Sequence, residues 1–185
     1  MTGNEVNGFC RLTSEMLLRL DGIDAKKVLQ GQTTANFETA QVGDVLAGAF
    51  CDVKGRVLAD FLAAIVTDET IFLRLNGAVA EQLQTHLKPY LMFSKSTLTA
   101  TECAVIGSLD QALPAAPTAG KLSHHEDAIT IYLAPEQAEV WYINDQKTLP
   151  ETTVDPQYWQ RAAILRGEAR IAPDTIGKYL PQDLN

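Results

Sequence analysis

The chain has 185 residues, of which 46% are hydrophobic and 21% are charged, a balance typical of a folded globular protein and not of a disordered one. Its formal net charge is −8 and it has no run of Lys or Arg, so direct nucleic-acid binding through phosphate neutralisation is not expected. No apolar run approaches the roughly 20 residues that span a bilayer and the polar first residues do not resemble a secretory signal, so we expect a cytoplasmic protein that does not contact a membrane.

The chain begins with predicted strands followed by a short helix. Alternating apolar residues predict a strand over 16–20, after another short strand over 9–15. Asp24 is predicted to cap a helix over 25–31, because Asp side chains accept hydrogen bonds from the free amides of a first helical turn.

An antiparallel hairpin comes next. Two runs of apolar and β-branched residues, 45–51 and 56–66, flank a short polar segment in which Gly55 supplies the positive φ that such turns often need. A further strand is predicted over 71–75. A helix is predicted over 78–90, where apolar residues recur every three or four positions.

The second half predicts more strands and one helix. A strand is expected over 97–106, a hairpin from 129–133 and 139–143, and a helix over 156–166 with Asp155 as its cap. This mixed order of strands and helices favours an antiparallel α+β fold over a doubly wound parallel sheet. The strand-then-helix order occurs twice, which suits two related half-domains packed side by side.

The three cysteines are far apart in the sequence and do not form a metal-binding pattern. Cys10, Cys51 and Cys103 include no CxxC pair and no Cys/His zinc spacing. An odd number of scattered cysteines fits a reducing compartment. We therefore predict no metal site, and we interpret Cys51 as an inert thiol in an apolar strand.

Four segments resemble, in the same order, the first part of proteins of the YgfZ/glycine-cleavage T-protein family. They are Gly-Ile-Asp-Ala-Lys-Lys-Val-Leu-Gln-Gly-Gln-Thr-Thr at 22–34, Phe-Cys-Asp-Val-Lys-Gly-Arg-Val-Leu-Ala-Asp at 50–60, Leu-Lys-Pro-Tyr-Leu-Met-Phe-Ser-Lys at 87–95, and Arg-Gly-Glu-Ala-Arg-Ile at 166–171 together with Tyr-Leu-Pro-Gln-Asp-Leu-Asn at 179–185. The segment 51–56 and the ending Pro-Gln-x-x-Asn are more similar to YgfZ than to the T-protein.

The resemblance implies a fold and a ligand. It implies two antiparallel sheet/helix half-domains, a first one over 1–103 and a second, incomplete one over 104–185, that line a channel for tetrahydrofolate or a derivative. The family signature Lys-Gly-Cys-Tyr-x-Gly-Gln-Glu does not occur in the sequence, and we expect the family's C-terminal β-barrel to be absent as well. The family's Thr-Asn-Asp loop also differs here, where 34–36 reads Thr-Ala-Asn.

The resemblance also selects candidate folate-binding residues. Asp60 ends the second matching segment as a carboxylate that would be costly to bury unpaired; it faces either the folate channel or solvent. Arg166 and Glu168, just past a predicted helix end, match the family pattern and are candidates together. Glu168 could accept hydrogen bonds from a pterin amino group, although an ion pair between Arg166 and Glu168 is an equal alternative. Asn76 is a weaker candidate, because Asn-Gly commonly forms turns. Gln182 is a candidate to line the channel, with a purely structural role in its loop as the alternative. No catalytic residue is assigned.

Three functions remain open at this point. The resemblance implies a tetrahydrofolate-binding accessory protein for iron–sulfur cluster assembly or repair, with iron–sulfur proteins as clients and a link to tRNA modification. An aminomethyltransferase of the T-protein type is the alternative. Because both functions stand, whether the protein is an enzyme stays open. The third reading is a truncated interaction module that binds no ligand, because a pocket closed on few sides binds weakly.

Overall fold

The computed structural model describes residues 7–109, 119–125, 127–144 and 148–184. These residues form an α+β fold with two five-stranded antiparallel sheets. The elements in chain order are β1 (Gly8–Arg11), β2 (Glu15–Asp21), α1 (Ala25–Gln32), β3 (Val45–Cys51), β4 (Val57–Ile65), β5 (Thr70–Asn76), α2 (Gly77–Leu91), β6 (Thr97–Ala100), β7 (Ala104–Leu109), β8 (Leu122–His125), β9 (Ala128–Ala134), β10 (Gln137–Tyr142), α3 (Pro156–Leu165) and a final 3₁₀ turn (Pro181–Leu184).

The first sheet has the strand order β3-β4-β5-β2-β6, and α1 and α2 cover one of its faces. Val79, Leu83 and Leu87 are buried on α2 at four-residue spacing, so one side of the helix packs on the sheet. Phe50 and Phe61 fill the same core with ring centroids 5.0 Å apart. The predicted helix over 78–90 is confirmed.

The hairpin of β3 and β4 is confirmed, and its turn has the geometry that the sequence suggested. Gly55 has a φ of 75°, and one carboxylate oxygen of Asp52 accepts hydrogen bonds from the amides of Lys54 and Arg56, both at 2.8 Å. Asp60, which ends the second segment of the resemblance, lies in the middle of β4, and the strand continues to Ile65.

The central strands of the first sheet are buried on both faces. On β4, Ala63 and Ile65 face α1 and α2, whereas Leu62 and Ala64 face the second sheet. Phe72 on β5 packs into the same inter-sheet core. Burial on both faces explains why these strands read as continuous apolar runs without alternation.

The second sheet has the order β1-β7-β10-β9-β8 and packs against the first. Val105, Ile129 and Trp141 from this sheet meet Leu17 from β2 in one buried cluster. The predicted hairpin over 129–133 and 139–143 is confirmed as β9 and β10.

One predicted strand is wrong, because 97–106 divides between the sheets. β6 pairs with β2 in the first sheet, and β7 pairs with β1 and β10 in the second. Between them, the amide and hydroxyl of Thr101 both donate to the carbonyl of Leu17, at 3.1 and 2.9 Å. These bonds hold the chain where it leaves the first sheet.

The two predicted helix caps differ in outcome. Asp155 caps α3 as predicted, because its carboxylate accepts the amide of Gln157 at 2.8 Å. The side chain of Asp24 makes no capping bond to α1; it accepts the amide of Lys95 at 2.8 Å and so joins two loops.

The division of the chain into half-domains over 1–103 and 104–185 stays a prediction. In the structure the chain passes from the first sheet to the second between β6 and β7, and β1 pairs with β7. Among the described helices, none has the length and apolar character that crossing a bilayer requires.

Candidate functional site

A cavity of about 790 Å³ opens between the hairpin of β3 and β4 and the segments that follow α3. Four of the five predicted site residues line it: Asp60, Arg166, Glu168 and Gln182. The structure therefore brings together side chains that are more than 100 positions apart in the sequence.

The carboxylate of Asp60 is held by the segment that follows α3. Its Oδ2 accepts a hydrogen bond from Nη1 of Arg170 at 2.9 Å, and its Oδ1 accepts the amide of Ile171 at 2.6 Å. The side chain is 13% exposed. Asp60 therefore faces the cavity and not the open exterior.

Arg74 lies at the centre of a network of buried charges and also lines the cavity. It is on β5 and fully buried, and its Nε and Nη2 contact both oxygens of Glu139 at 3.1 and 3.0 Å. Further ion pairs join it to Glu15 at 3.3 Å and to Glu168 at 2.7 Å. Burial alone would lower the pKa of Arg74, but the three carboxylates raise it, so the guanidinium stays charged.

Glu139 ties the network to the second sheet. It lies on β10 with no solvent exposure, and one of its oxygens also accepts the indole Nε1 of Trp141 at 2.8 Å. A fully buried carboxylate is tolerated only when it is paired and hydrogen-bonded. The Arg74–Glu139 pair therefore joins the two sheets at a fixed place.

Glu168 is the most heavily engaged carboxylate that lines the cavity. Its Oε1 accepts from Arg74 and Arg170, both at 2.7 Å, and its Oε2 accepts from Arg166 at 2.8 Å. Burial acts to raise the pKa of Glu168, but the charges of Arg74 and Arg170 outweigh it and lower this pKa to about 2. The alternative of an ion pair with Arg166 is thus observed.

Arg166 is positioned by three contacts. Besides Glu168, its guanidinium donates to the side chain of Gln137 on β10 and lies over the ring of Trp159, 5.1 Å from the centroid. Such a stacked arginine is held more firmly than an exposed one. Arg166 thereby anchors the end of α3 to the second sheet beside the cavity.

Arg170 is a residue of the site that the sequence reasoning missed. Its three nitrogens contact three different carboxylates, namely Asp60 through Nη1, Glu168 through Nη2 at 2.7 Å and Glu15 through Nε at 3.1 Å. Burial and the charge of Arg74 act to lower the pKa of Arg170, but these carboxylates raise it. The signal that could have found it is the close spacing of the charged residues 166, 168 and 170 in the sequence, since these three side chains meet directly after the end of α3.

Asn76 lies away from this cavity. Its Oδ1 accepts the amide of Ala78 at 3.0 Å and so caps α2, and its Nδ2 donates to the carbonyl of Ile171 at 3.1 Å. It lines a second, smaller cavity of about 480 Å³. Asn76 is therefore a helix cap in this structure, and any ligand contact by it stays a prediction.

The rest of the cavity wall is largely apolar. Gly48 and Phe61 from the hairpin lie on one side, Leu133 from β9 contributes another surface, and Gln182 and Leu184 come from the final 3₁₀ turn. Gly48 is closely covered, since a Cβ built on it would lie 2.8 Å from the Phe61 ring. The cavity thus combines one charged wall with apolar surfaces.

The described residues contain no group of three His, Cys, Asp or Glu side chains arranged to hold a metal ion. Cys51 is half-buried at the end of β3, next to Val57. Burial, and then the nearby charge of Asp52, raise the pKa of the Cys51 thiol, which disfavours the reactive thiolate.

Comparison with known proteins finds several relatives that are similar in sequence over most of this chain. No protein-family model matches the chain. The chain is 27% identical to an uncharacterized protein of Haemophilus influenzae over 96% of its length and 59% of the relative's. It is 28% identical to the tRNA-modifying protein YgfZ of Colwellia psychrerythraea and 30% identical to that of Photobacterium profundum, over 91% of this chain and 57% and 56% of those proteins.

Among solved structures, the fold is similar to the glycine cleavage system aminomethyltransferase T from Bartonella henselae. The TM-score is 0.66 at 13% sequence identity, over 73% of this chain and 41% of that one. The chain thus spans little more than half the length of the curated relatives it matches. Together these findings confirm the resemblance predicted from the sequence and the α+β fold that it implied.

Proposed function

We propose, on the premise that this chain is of the YgfZ type, that its 790 Å³ cavity binds tetrahydrofolate or a derivative of it. The observation that carries the proposal is the position of Asp60: a mostly buried carboxylate at the wall of a cavity whose volume falls within the range of small-molecule pockets. Apolar surfaces beside such a carboxylate suit a flat ring with a polar edge.

The chemistry of a reduced pterin matches this wall. Its pyrimidine edge carries an amino group and an adjacent ring N–H, which are hydrogen-bond donors, and carboxylate oxygens are acceptors only. A carboxylate has about four lone-pair sites. The two oxygens of Asp60 accept one bond each within the protein, whereas Glu168 accepts three. Asp60 therefore has the greater capacity for ligand donors.

The apolar surfaces would hold the ring itself. Phe61 and Leu133 lie along the cavity with Leu184 from the final turn, and burial of a flat ring between such side chains supplies most of the binding free energy of a small ligand. Arg166 and Gln182, which also line the cavity, are proposed to contact the more polar parts of the folate.

The cellular role is proposed at a coarser level. The relatives from C. psychrerythraea and P. profundum are named tRNA-modifying proteins. We propose that this chain acts in the cytoplasm as a folate-binding accessory for iron–sulfur cluster assembly or repair, and that it affects tRNA modification through iron–sulfur client proteins. Loss of the gene should then lower both iron–sulfur enzyme activity and the content of modified tRNA nucleosides, and normal levels of both would contradict this role.

Aminomethyl transfer is the second candidate, and the shared fold with aminomethyltransferase T favours it. A coupled glycine-cleavage assay with the other cleavage components separates the two functions. A rate above background would support the transferase, and binding of folate without turnover would support the accessory role. Absence of both turnover and folate binding would favour the third function, an interaction module that binds no ligand.

The binding proposal is tested by isothermal titration with 5-formyltetrahydrofolate, a stable reduced folate. Asp60→Asn should weaken binding about tenfold or more, because a charge-assisted hydrogen bond is lost. The matched control is Asp68→Asn, since Asp68 is 82% exposed and forms a surface ion pair with Lys26; this variant should bind as the unaltered protein does. Equal affinity of the two variants would reject Asp60 as a contact.

A further inference from the structure

Arg170 occupies one of the acceptor atoms that a pterin would need, Oδ2 of Asp60. Its Nη1 lies 2.9 Å from Asp60 and its Nη2 lies 2.7 Å from Glu168, so one guanidinium joins the two carboxylates that line the cavity. Its Nε points to a third carboxylate, Glu15, at 3.1 Å.

The guanidinium and the pterin edge are chemically alike. Each presents a carbon atom bonded to nitrogens that carry N–H donors in one plane. A planar pair of donors is the group that binds carboxylates most strongly in proteins. A ligand that places both donors of this edge on Asp60 in one plane must therefore compete with Arg170 for Oδ2, since Oδ1 is bonded by the amide of Ile171.

We propose that Arg170 determines the folate affinity of this chain by acting as an internal competitor, whose guanidinium leaves Asp60 when the ligand binds. The proposal rests on the proposed function, since it concerns the same cavity. Asp60 then exchanges the single N–H of Arg170 for the donors of the pterin edge, and part of the ligand's binding free energy is used to displace the side chain.

The structure provides a place for the displaced guanidinium. Arg170 and Glu168 line both the 790 Å³ cavity and the second cavity of about 480 Å³, and Glu15 also lines the second one. A rotation of the Arg170 side chain toward Glu15 keeps one ion pair and moves the guanidinium away from Asp60. The charge therefore does not have to be buried alone.

The other arginines of the network are less suited to this movement. Arg74 is 1% exposed and lies within β5, whose backbone is paired with β4 on one side and β2 on the other. Arg166 is stacked on Trp159. Arg170 is 28% exposed and lies outside any helix or strand, so its side chain has both room and fewer backbone constraints.

The experiment compares Arg170→Ala with the unaltered protein by isothermal titration with 5-formyltetrahydrofolate. Removal of the competitor should tighten binding about tenfold or more, the gain expected when one charge-assisted hydrogen bond no longer has to be broken. Arg170→Lys should give an intermediate gain, because an ammonium lacks the planar fork. Arg161→Ala, an exposed position on α3, should bind as the unaltered protein does.

Arg170→Ala would lose stability, because it leaves carboxylates without one of their cations. A second measurement therefore tests the competition independently of this loss. Millimolar methylguanidinium should raise the thermal midpoint of Arg170→Ala and leave that of the unaltered protein unchanged, because only the variant has an empty guanidinium position. The same ion should weaken folate binding by the variant in a competitive manner.

The outcomes separate this inference from the function on which it rests. If the unaltered protein binds the folate and Arg170→Ala binds equally or more weakly, Arg170 is not a competitor and the inference alone is overturned. If neither protein binds, the proposed function fails and the inference fails with it. Tighter binding by Arg170→Ala supports both. Binding by the variant alone would overturn the proposed function of the unaltered protein, and lack of stabilisation by methylguanidinium contradicts the competition.

Discussion

Glu168→Gln should remove stability that the ionised carboxylate of Glu168 provides through the arginines around it. Burial opposes ionisation, but Arg74 and Arg170 hold the pKa of Glu168 at about 2, against 4.5 for the free side chain. The difference corresponds to about 3 kcal/mol of folding free energy at neutral pH. The side chain is only 20% exposed, so solvent screens these charges weakly.

The sign of the pH dependence follows from the direction of the change. Because the folded-state pKa is lower than the unfolded one, the contribution is fully present above pH 4.5 and is lost as the pH falls from there toward about 2. Urea unfolding of the unaltered protein and of Glu168→Gln at several pH values measures it. The difference between them should be about 3 kcal/mol at pH 7 and should shrink toward pH 2.

The comparison removes the effect of the remaining carboxylates, which titrate in both proteins. Glu81→Gln, an exposed position on α2, is the control and should change stability by less than about 0.5 kcal/mol at every pH. A Glu168→Gln difference that stays constant between pH 7 and pH 2 would refute the electrostatic reasoning, because it would then arise from packing or from the hydrogen-bond geometry of the amide.

Two further stability predictions follow from the same structure. Arg74→Met should destabilise the fold by about 3–5 kcal/mol in urea unfolding, because Glu139 is left buried without its cation. Adding Glu139→Leu should recover much of that loss. No recovery in the double variant would show that the unpaired charge of Glu139 is not the cause. Gly48→Ala should cost about 1–3 kcal/mol, since its Cβ would meet the Phe61 ring at 2.8 Å. The matched change Gly31→Ala in α1, where nothing lies within 4 Å of the added Cβ, should instead stabilise the protein by about 0.5–1 kcal/mol. Equal effects of the two changes would show that crowding at Gly48 does not reduce stability.

Local features of the fold were predictable because local chemistry determines them. The four-residue spacing of Val79, Leu83 and Leu87 predicted α2, and the turn at Gly55 predicted the hairpin of β3 and β4. The break between β6 and β7 was not predictable, because the bonds from Thr101 to the carbonyl of Leu17 join positions 84 residues apart. Propensity alone reads such a stretch as one strand.

The candidate site shows the same division between local and distant information. Asp60 and Glu168 were found by resemblance, but the partner that holds both of them, Arg170, was not, since its bond to Asp60 joins residues 110 positions apart. Arg74 and Glu139 each interrupt an apolar strand, and a charge in such a position must have a buried partner. The sequence therefore indicates that partners exist, and only the fold identifies them.

Amide NMR spectra recorded during titration with 5-formyltetrahydrofolate show whether a reduced folate binds in the cavity beside Asp60. The amide of Ile171, which donates to Asp60 at 2.6 Å, should shift with the ligand, together with those of Gly48 and Leu133 in the cavity wall. The amides of Asp68 and Glu81, which do not line the cavity, should stay in place. Saturating ligand that leaves the Ile171 amide signal unmoved, or that shifts only amides outside the cavity, would contradict folate binding at Asp60.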